Sequence, residues 1–441
     1  MSRRKSRVPT TRLGRIVRLG FTAGELTLGG ITEGIRRMTG LAPEDAVSAF
    51  MSTKNARKLA KRLAGMRGAA MKMGQMLSME SADFLPPEFA DALAVLRDSA
   101  DSMPATQIRR VMGREYGKGW ESKFAHFDYE PVAAASIGQV HRVTTLDGRD
   151  LALKIQYPGV AKSINSDVDN LAILLHMARI LPIAMDVSDI VAEAKRQLQQ
   201  EADYTIEANY LKDYRALVED TDYFIVPRVH DDLTTKRILA MDFVDGEPLE
   251  SLGNEGVDPD LRDRIGAQLE QLMFRELFEF RTMQTDPNFA NYLYRPSDDK
   301  IVLLDFGSTV TFTSDFTERY GQISKALIEE DEDAALHYAE QIGYLDEGDS
   351  SQHSNRVMQM IRLVCEPIRY DGIYDFAESD LFSRAREAGF DMVFSSTGEF
   401  RAPPPSTAFL HRKLAGSFLL CARIKARVNV QKLIRPYLPT D

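Results

Sequence analysis

Cysteine is almost missing: Cys365 and Cys421 are the only two in 441 residues. Both fall in apolar stretches with helical spacing, which excludes a disulfide framework and suits a reducing compartment. The seven histidines are scattered, and no His/Cys spacing matches a zinc site. No apolar run approaches the roughly 20 residues needed to cross a bilayer. The best candidates, Leu171 to Met185 and Phe418 to Ala422, are short or flanked by charge. The N-terminus has no uninterrupted apolar core of the signal-peptide kind. Gly113 to Gly119 contains Gly-Lys, but not at phosphate-loop spacing and with no apolar strand before it. There is no internal repeat. The expectation is a cytoplasmic protein whose membrane contact, if any, is peripheral.

What is present is enough for two or three domains, with an ordinary 44% apolar and 27% charged content. The net charge of −10 is unevenly spread. Residues 1–70 carry 15 Lys/Arg against 4 Asp/Glu. A basic arm on an acidic body points to an anionic membrane surface or an acidic partner. Nucleic acid fits poorly, because the arm has no interleaved aromatics. Leu13, Ile16, Val17 and Phe21 recur at helical spacing among arginines, as in a basic helix lying on a membrane surface.

From Pro43 to Leu85 the pattern is helical, with Leu59, Leu63, Met66, Ala70, Met73 and Leu77 at spacings of three and four. Gly68 and Gly74 interrupt this Met-rich helix, each at about 1 kcal/mol relative to Ala, and let another backbone or a ligand come close. Lys72 and Gln75 share one face. Phe124 to Tyr157 alternates like strands. Val160 to Ile183 reads as a helix, and Asp186 to Glu219 as one long helical stretch. Phe224 to Val229 and Lys236 to Phe243 read as strands, Leu261 to Phe280 as a helix, and Phe316 to Leu438 as mainly helical. Tyr292 to Tyr294 and Ile301 to Leu304, joined by a polar turn, read as a hairpin.

The stretch Thr285 to Gly307 organises the rest. Asp286 and Asn291 stand five apart on a loop, the hairpin follows, and Asp305-Phe306-Gly307 ends its second strand. This order resembles a protein kinase. There a loop Asp orients the acceptor, an Asn five residues on holds a metal ion, and the Asp of Asp-Phe-Gly holds the metal that bridges the phosphates. Upstream, a strand, a small-residue loop, a second strand and Leu151-Ala-Leu-Lys154 repeat the opening of a kinase small lobe. Ala133, Ala134, Ala135 and Ser136 take the place of the glycines over the phosphates. Alanine is small, but positive φ is costly for it, so a stiffer loop is expected. Lys154 would pair with phosphates, and either Glu201 or Glu207 could orient it. Met241 to Phe243 would form the hinge whose backbone meets an adenine edge.

Together these motifs, spanning about Leu63 to Lys425, resemble the UbiB family of atypical kinase-like proteins, in the branch that supports coenzyme Q biosynthesis. The resemblance rests on Lys72-Met-Gly-Gln75, the alanine loop, Glu201-Ala-Asp203, Asp286, Asn291 and Asp305. It implies an α+β, two-lobed protein kinase-like fold with a helical N-terminal extension. Residues 1–40 would be a basic arm, 41–118 the extension, 119–245 the small lobe and 246–441 the helical lobe. It also implies ATP and Mg2+ as cofactors. Asp286, Lys154 and Glu207 would be catalytic, and Asn291 and Asp305 would bind the metal. The alanine loop, Met241, Phe243, Lys72, Gln75, Glu201 and Asp203 would line the nucleotide cleft. The expected activity is an ATP-dependent atypical kinase or ATPase serving ubiquinone biosynthesis at a membrane surface. Expected partners are a phenolic or isoprenoid lipid and lipid-biosynthesis enzymes. A nucleotide-sensing scaffold and a small-molecule phosphotransferase are the competing readings. Two departures stand out. Gln284 replaces the histidine that precedes the loop Asp in ordinary kinases, and Asn288-Phe289-Ala290 replaces the His-Pro-Gly of many family members.

Overall fold

A computed structural model describes residues 102–177, 188–286, 288–346, 348–394 and 404–440. Lys72 and Gln75, with the whole expected extension before residue 102, lie outside the described residues. The chain forms two compact units. Among the described residues, the first comprises those from 102 to 212 together with Arg228–Val244, and the second comprises Asp213–Pro227 and those from 245 to 440.

The first unit is built on one sheet. Its described elements begin with helix α1 (Ala105–Glu115), then strands β1 (Phe124–Phe127), β2 (Ala133–Ala134), β3 (Gly138–Thr145) and β4 (Asp150–Gln156). Helices α2 (Val160–Met177), α3 (Ser188–Glu201) and α4 (Tyr204–Leu217) follow; β5 (Phe224–Ile225) and β6 (Ile238–Asp242) come next in the chain. The sheet runs β1-β3-β4-β6, with β2 paired to β3. β4 is central, and Leu151 to Gln156 are all buried, as a strand covered on both faces requires. The β3–β4 turn uses Gly148 at φ +84°, a left-handed geometry that favours glycine. Gly138 at the start of β3 answers a different need. A Cβ there would lie 2.4 Å from the Ile155 carbonyl oxygen, so only glycine lets β3 approach β4 at that point.

The long helix expected over Asp186 to Glu219 is broken, because α3 ends at Glu201 and α4 starts at Tyr204. Asp203 drives the break. Its Oδ1 accepts from the Thr205 N–H at 3.1 Å and the Thr205 hydroxyl at 2.6 Å, the geometry of a helix cap. The freed backbone groups are satisfied elsewhere. The Gln156 amide donates to the Ala202 carbonyl at 2.9 Å, and the Tyr204 N–H donates to the Lys236 carbonyl at 3.1 Å.

In the second unit, α5 (Pro259–Phe274) starts at an Asp258 cap, with Pro259 where its missing N–H is harmless. The expected helix to Phe280 instead changes winding. Arg275–Glu279 form a π-helical turn, closed by the Phe280 N–H on the Arg275 carbonyl at 2.8 Å. β8 (Thr282–Gln284), β9 (Tyr292–Arg295), β10 (Lys300–Leu303) and β11 (Thr309–Thr311) follow. β9 and β10 form the expected hairpin and join β5 and the short β7 (Glu247–Pro248) in one sheet. β8 pairs antiparallel with β11. The remainder is mainly helical, with α6 (Ser314–Glu329), α7 (Glu332–Ile342), α8 (Ser351–Val364), α9 (Glu366–Arg369), α10 (Leu381–Phe394), α11 (Pro405–Ile424) and α12 (Val430–Ile434), and one short antiparallel pair, Tyr374–Asp375 with Arg427–Val428. Cys365 and Cys421 are buried free thiols.

Candidate functional site

The candidate residues fall into two clusters, one in each unit. In the first, the register of β4 sets Lys154 between Val140 of β3 and Leu239 of β6. Its side chain is 3% exposed and reaches Glu207, itself 2% exposed. The ammonium donates to both carboxylate oxygens, at 2.7 and 3.0 Å. It also lies 5.4 Å from the Tyr204 ring centroid. The break at Asp203 makes this possible: a new helix begins there, and Glu207 sits in its first turn, where a carboxylate is favoured. Glu201 ends the preceding helix and accepts a hydrogen bond from the Ser136 hydroxyl of the alanine loop.

That loop is a tight hairpin. The Ala135 N–H donates to the Gly138 carbonyl at 3.0 Å, and the Gly138 N–H returns to Ala135 at 3.4 Å. Ala133 and Ala134 pair with Val140 and Gln139. None of the four loop residues has positive φ. Asp203, expected in the nucleotide cleft, caps α4 and faces Lys236 at 3.3 Å. Burial works against its charge, but Thr205 and Lys236 bring its carboxyl below the ordinary value. Met241 lies within the β6 ladder, and the Phe243 N–H is engaged by the Asp150 carbonyl at 3.0 Å.

In the second unit, Asp286 follows β8 and Asp305 precedes β11, so pairing of these strands brings the two segments together. The Thr285 N–H and hydroxyl both donate to the Ser308 carbonyl at 2.8 Å. The Leu304 N–H donates to the Asn291 carbonyl at 3.0 Å, which places Asp305 beside Asn291. Asp286 accepts from the Asn288 N–H at 3.2 Å, and Asp305 from the Gly307 N–H at 2.9 Å. Phe306 is buried against Tyr214, ring centroids 4.4 Å apart. Burying a phenylalanine contributes roughly 1.5–3 kcal/mol. Gln284, the odd replacement in the sequence, turns its amide onto the Asp286 carbonyl at 3.0 Å. It thus braces the loop from within. The Asn291 amide nitrogen is buried with no hydrogen-bond partner among the described residues.

Sequence reasoning missed the groups behind this loop: Tyr214, Glu276, Arg412 and Lys413. The Glu276 carboxylate is fully buried and meets Lys413 at 2.7 Å. Burial alone would lower the Lys413 ammonium, but Glu276 outweighs it and holds it above the ordinary lysine value. Arg412 donates to the Thr285 carbonyl at 2.8 Å and to its hydroxyl at 2.9 Å. The available signal was charge inside apolar helical runs, Leu272-Met-Phe-Arg-Glu276-Leu-Phe and Phe409-Leu-His-Arg-Lys413-Leu.

Comparison with known proteins gives the family of the chain. Residues 95–339 match the ABC1 atypical kinase-like domain. The chain is 38% identical to the mitochondrial atypical kinase COQ8B of Rattus norvegicus over 434 residues, 98% of this chain and 81% of that protein. It is 34% identical to the mitochondrial atypical kinase COQ8 of Saccharomyces cerevisiae, covering 98% of this chain and 86% of that one. A solved structure of Rv3197 from Mycobacterium tuberculosis, in complex with erythromycin, superimposes with a TM-score of 0.62 at 26% identity. That match covers 90% of this chain and 98% of the other. The fold is therefore kinase-like, α+β, with a sheet-based unit and a mainly helical one. The chain belongs to the ABC1 atypical kinase-like family, the UbiB family of the sequence resemblance, in its coenzyme Q branch. Among the described residues no helix is long and apolar enough to cross a membrane.

Proposed function

We propose that this protein binds ATP with Mg2+ and acts as an atypical kinase or ATPase in support of ubiquinone biosynthesis. The observation that carries the reading is the buried Lys154–Glu207 pair at 2.7 Å. A strand lysine oriented by a helix carboxylate is the device by which kinases hold the phosphates of ATP. Lys154 would give the phosphates its positive charge, and Ala133 to Ser136 would cover them with a stiff hairpin. Asn291 and Asp305 would hold the metal. Their oxygens are the hard donors that Mg2+ prefers, and this ion typically takes one or two carboxylates and fills its shell with water and phosphate. When bound, Mg2+ would neutralise charge on the phosphates. Asp286, braced by Gln284 and Asn288, would orient the attacking hydroxyl or water.

The coenzyme Q branch and the basic arm of residues 1–70 support a phenolic or isoprenoid lipid at an anionic membrane as the setting. The test is titration of the full-length chain with Mg–ATP, followed by turnover with and without anionic liposomes. Asp305→Asn should weaken Mg-dependent nucleotide binding by at least about tenfold. Unchanged binding in that variant would sink the reading. Binding without turnover, with or without lipid, would leave a nucleotide-sensing scaffold instead.

A further inference from the structure

Glu276 lies in the π-helical turn after α5, and its carboxylate gathers groups from separate segments of the second unit. One oxygen accepts from the Gln284 backbone N–H and from the Tyr214 hydroxyl, each at 2.9 Å. The other meets the Lys413 ammonium at 2.7 Å. Each first contact leads on to a loop with candidate metal or catalytic residues. Gln284 holds the Asp286 carbonyl through its side chain. Tyr214 packs on Phe306 of Asp-Phe-Gly. Lys413 also reaches the hydroxyl of Tyr292, the residue after Asn291, at 3.4 Å. Its neighbour Arg412 grips Thr285, the residue before Asp286. Consecutive residues of α11 thus bracket both flanks of the Asp286–Asn291 loop. α11 itself lies beyond the 95–339 match to the family domain.

We infer that Glu276, neutralised by Lys413, is a positioning residue that fixes the Asp286 loop and the Asp-Phe-Gly segment to one buried anchor. The inference rests on the nucleotide reading above for its consequence on turnover, but not for its geometry. The carboxylate accepts two hydrogen bonds on one oxygen, and a neutral amide oxygen in its place can accept the same two. What that anchor cannot tolerate is its negative charge left in the interior with no cation. Lys413 therefore acts through Glu276, and Glu276 acts through Gln284 and Tyr214; neither touches a reacting atom.

The full-length chain is tested with three changes: Lys413→Met, the pair Glu276→Gln/Lys413→Met, and the pair Glu276→Leu/Lys413→Met. Readouts are Mg–ATP affinity, ATP turnover, and amide hydrogen exchange over residues 283–292. In Lys413→Met, turnover should fall by about 30-fold, because small displacements of reacting groups cost that much. Affinity should stay within about threefold and exchange of the loop should rise about tenfold. The Gln/Met pair keeps the oxygen and should recover most of both losses. The Leu/Met pair removes the acceptor and should lose turnover and loop protection although both buried charges are gone. Should Lys413→Met fail to fold, the two charge-free pairs carry the same comparison. A Leu/Met variant that turns over and exchanges like wild type would overturn the inference, as would a Gln/Met pair no better than Leu/Met. A wild-type chain that binds no Mg–ATP defeats the nucleotide reading, while the exchange comparison still decides the anchor.

Discussion

The two units position their candidate site residues by different means. In the first, Lys154 stands on the central strand of a five-stranded sheet and Glu207 in the first turn of a helix. Sheet register and a helix cap do the positioning, and the ion pair completes it. In the second, Asp286 and Asp305 lie on loops and Asn291 ends a single 3-10 turn (Phe289–Asn291), so no long regular element aims them. There the aim comes from side chains: Gln284 from within the loop, Glu276 from a π-helical turn, and Arg412 and Lys413 from a helix more than 100 residues further on. Regular elements can aim a single residue cheaply. A loop that presents several polar groups needs an internal scaffold of its own, because its backbone donors and acceptors would otherwise go unpaired.

The contrast is tested most strongly at Lys154. If its partner is fixed by the helix rather than by the lysine, Lys154→Met leaves a buried carboxylate in place and should cost about 3–5 kcal/mol of stability. Chemical denaturation measures this, and Lys154→Met/Glu207→Gln should regain most of it. A loss below about 1 kcal/mol, the range of solvent-exposed pairs, would mean that Glu207 turns out to water and that the first unit is no more rigid than the second.

A smaller effect is expected at Glu270 of α5, whose carboxyl is fully buried. Burial pushes it up to about 7, against the lowering hydrogen bonds of Ser417 and Cys421 and the Lys413 charge. Between its ordinary value of 4.5 and about 7, the folded chain holds a proton that the unfolded chain has released. The stabilisation is complete below the ordinary value and is lost as pH rises through about 7. The loss is at most about 3 kcal/mol. Glu270→Gln should remove this slope. Buried His411 is held down to about 4 by burial and slopes the other way, but it is common to both proteins and cancels in the difference. Parallel stability curves for wild type and Glu270→Gln between about pH 5 and pH 8 would remove this buried carboxyl from the picture of the second unit.

The smallest effect tests the helix break. Asp203→Ala deletes the cap of α4 and should cost about 1 kcal/mol. It should also loosen Lys154–Glu207, seen as weaker Mg–ATP binding. Full retention of affinity would show that the sheet alone orients the lysine.

These same differences explain how much could be read from the residues. Strand alternation, the Asp147–Gly148 turn and the β9–β10 hairpin are local signals, and the sheet strands and the helical second unit followed from them. The choice between Glu201 and Glu207 did not follow, because it depends on a break at Asp203. Judged by spacing alone, six residues on one continuous helix put the two on different faces. The break is legible only once Gln156 and Lys236, distant in sequence, are seen to take the released backbone groups. Glu276 and Lys413 were harder still. A charge in an apolar helical run announces a buried partner but not which one, and here the partner is 137 positions away.

The pairing of β8 with β11 bears on how freely the Asp-Phe-Gly segment could move. In kinases the packing of the Asp-Phe-Gly phenylalanine distinguishes active from inactive arrangements, and a ligand that traps a swung-out tripeptide needs that ring to leave its slot. In this protein such a swing would unzip a three-residue ladder, detach Thr285 from Ser308 and pull Phe306 off Tyr214. The tripeptide is thus tied to the strand before the Asp286 loop, so a ligand that displaced it would have to offset the loss of all these contacts.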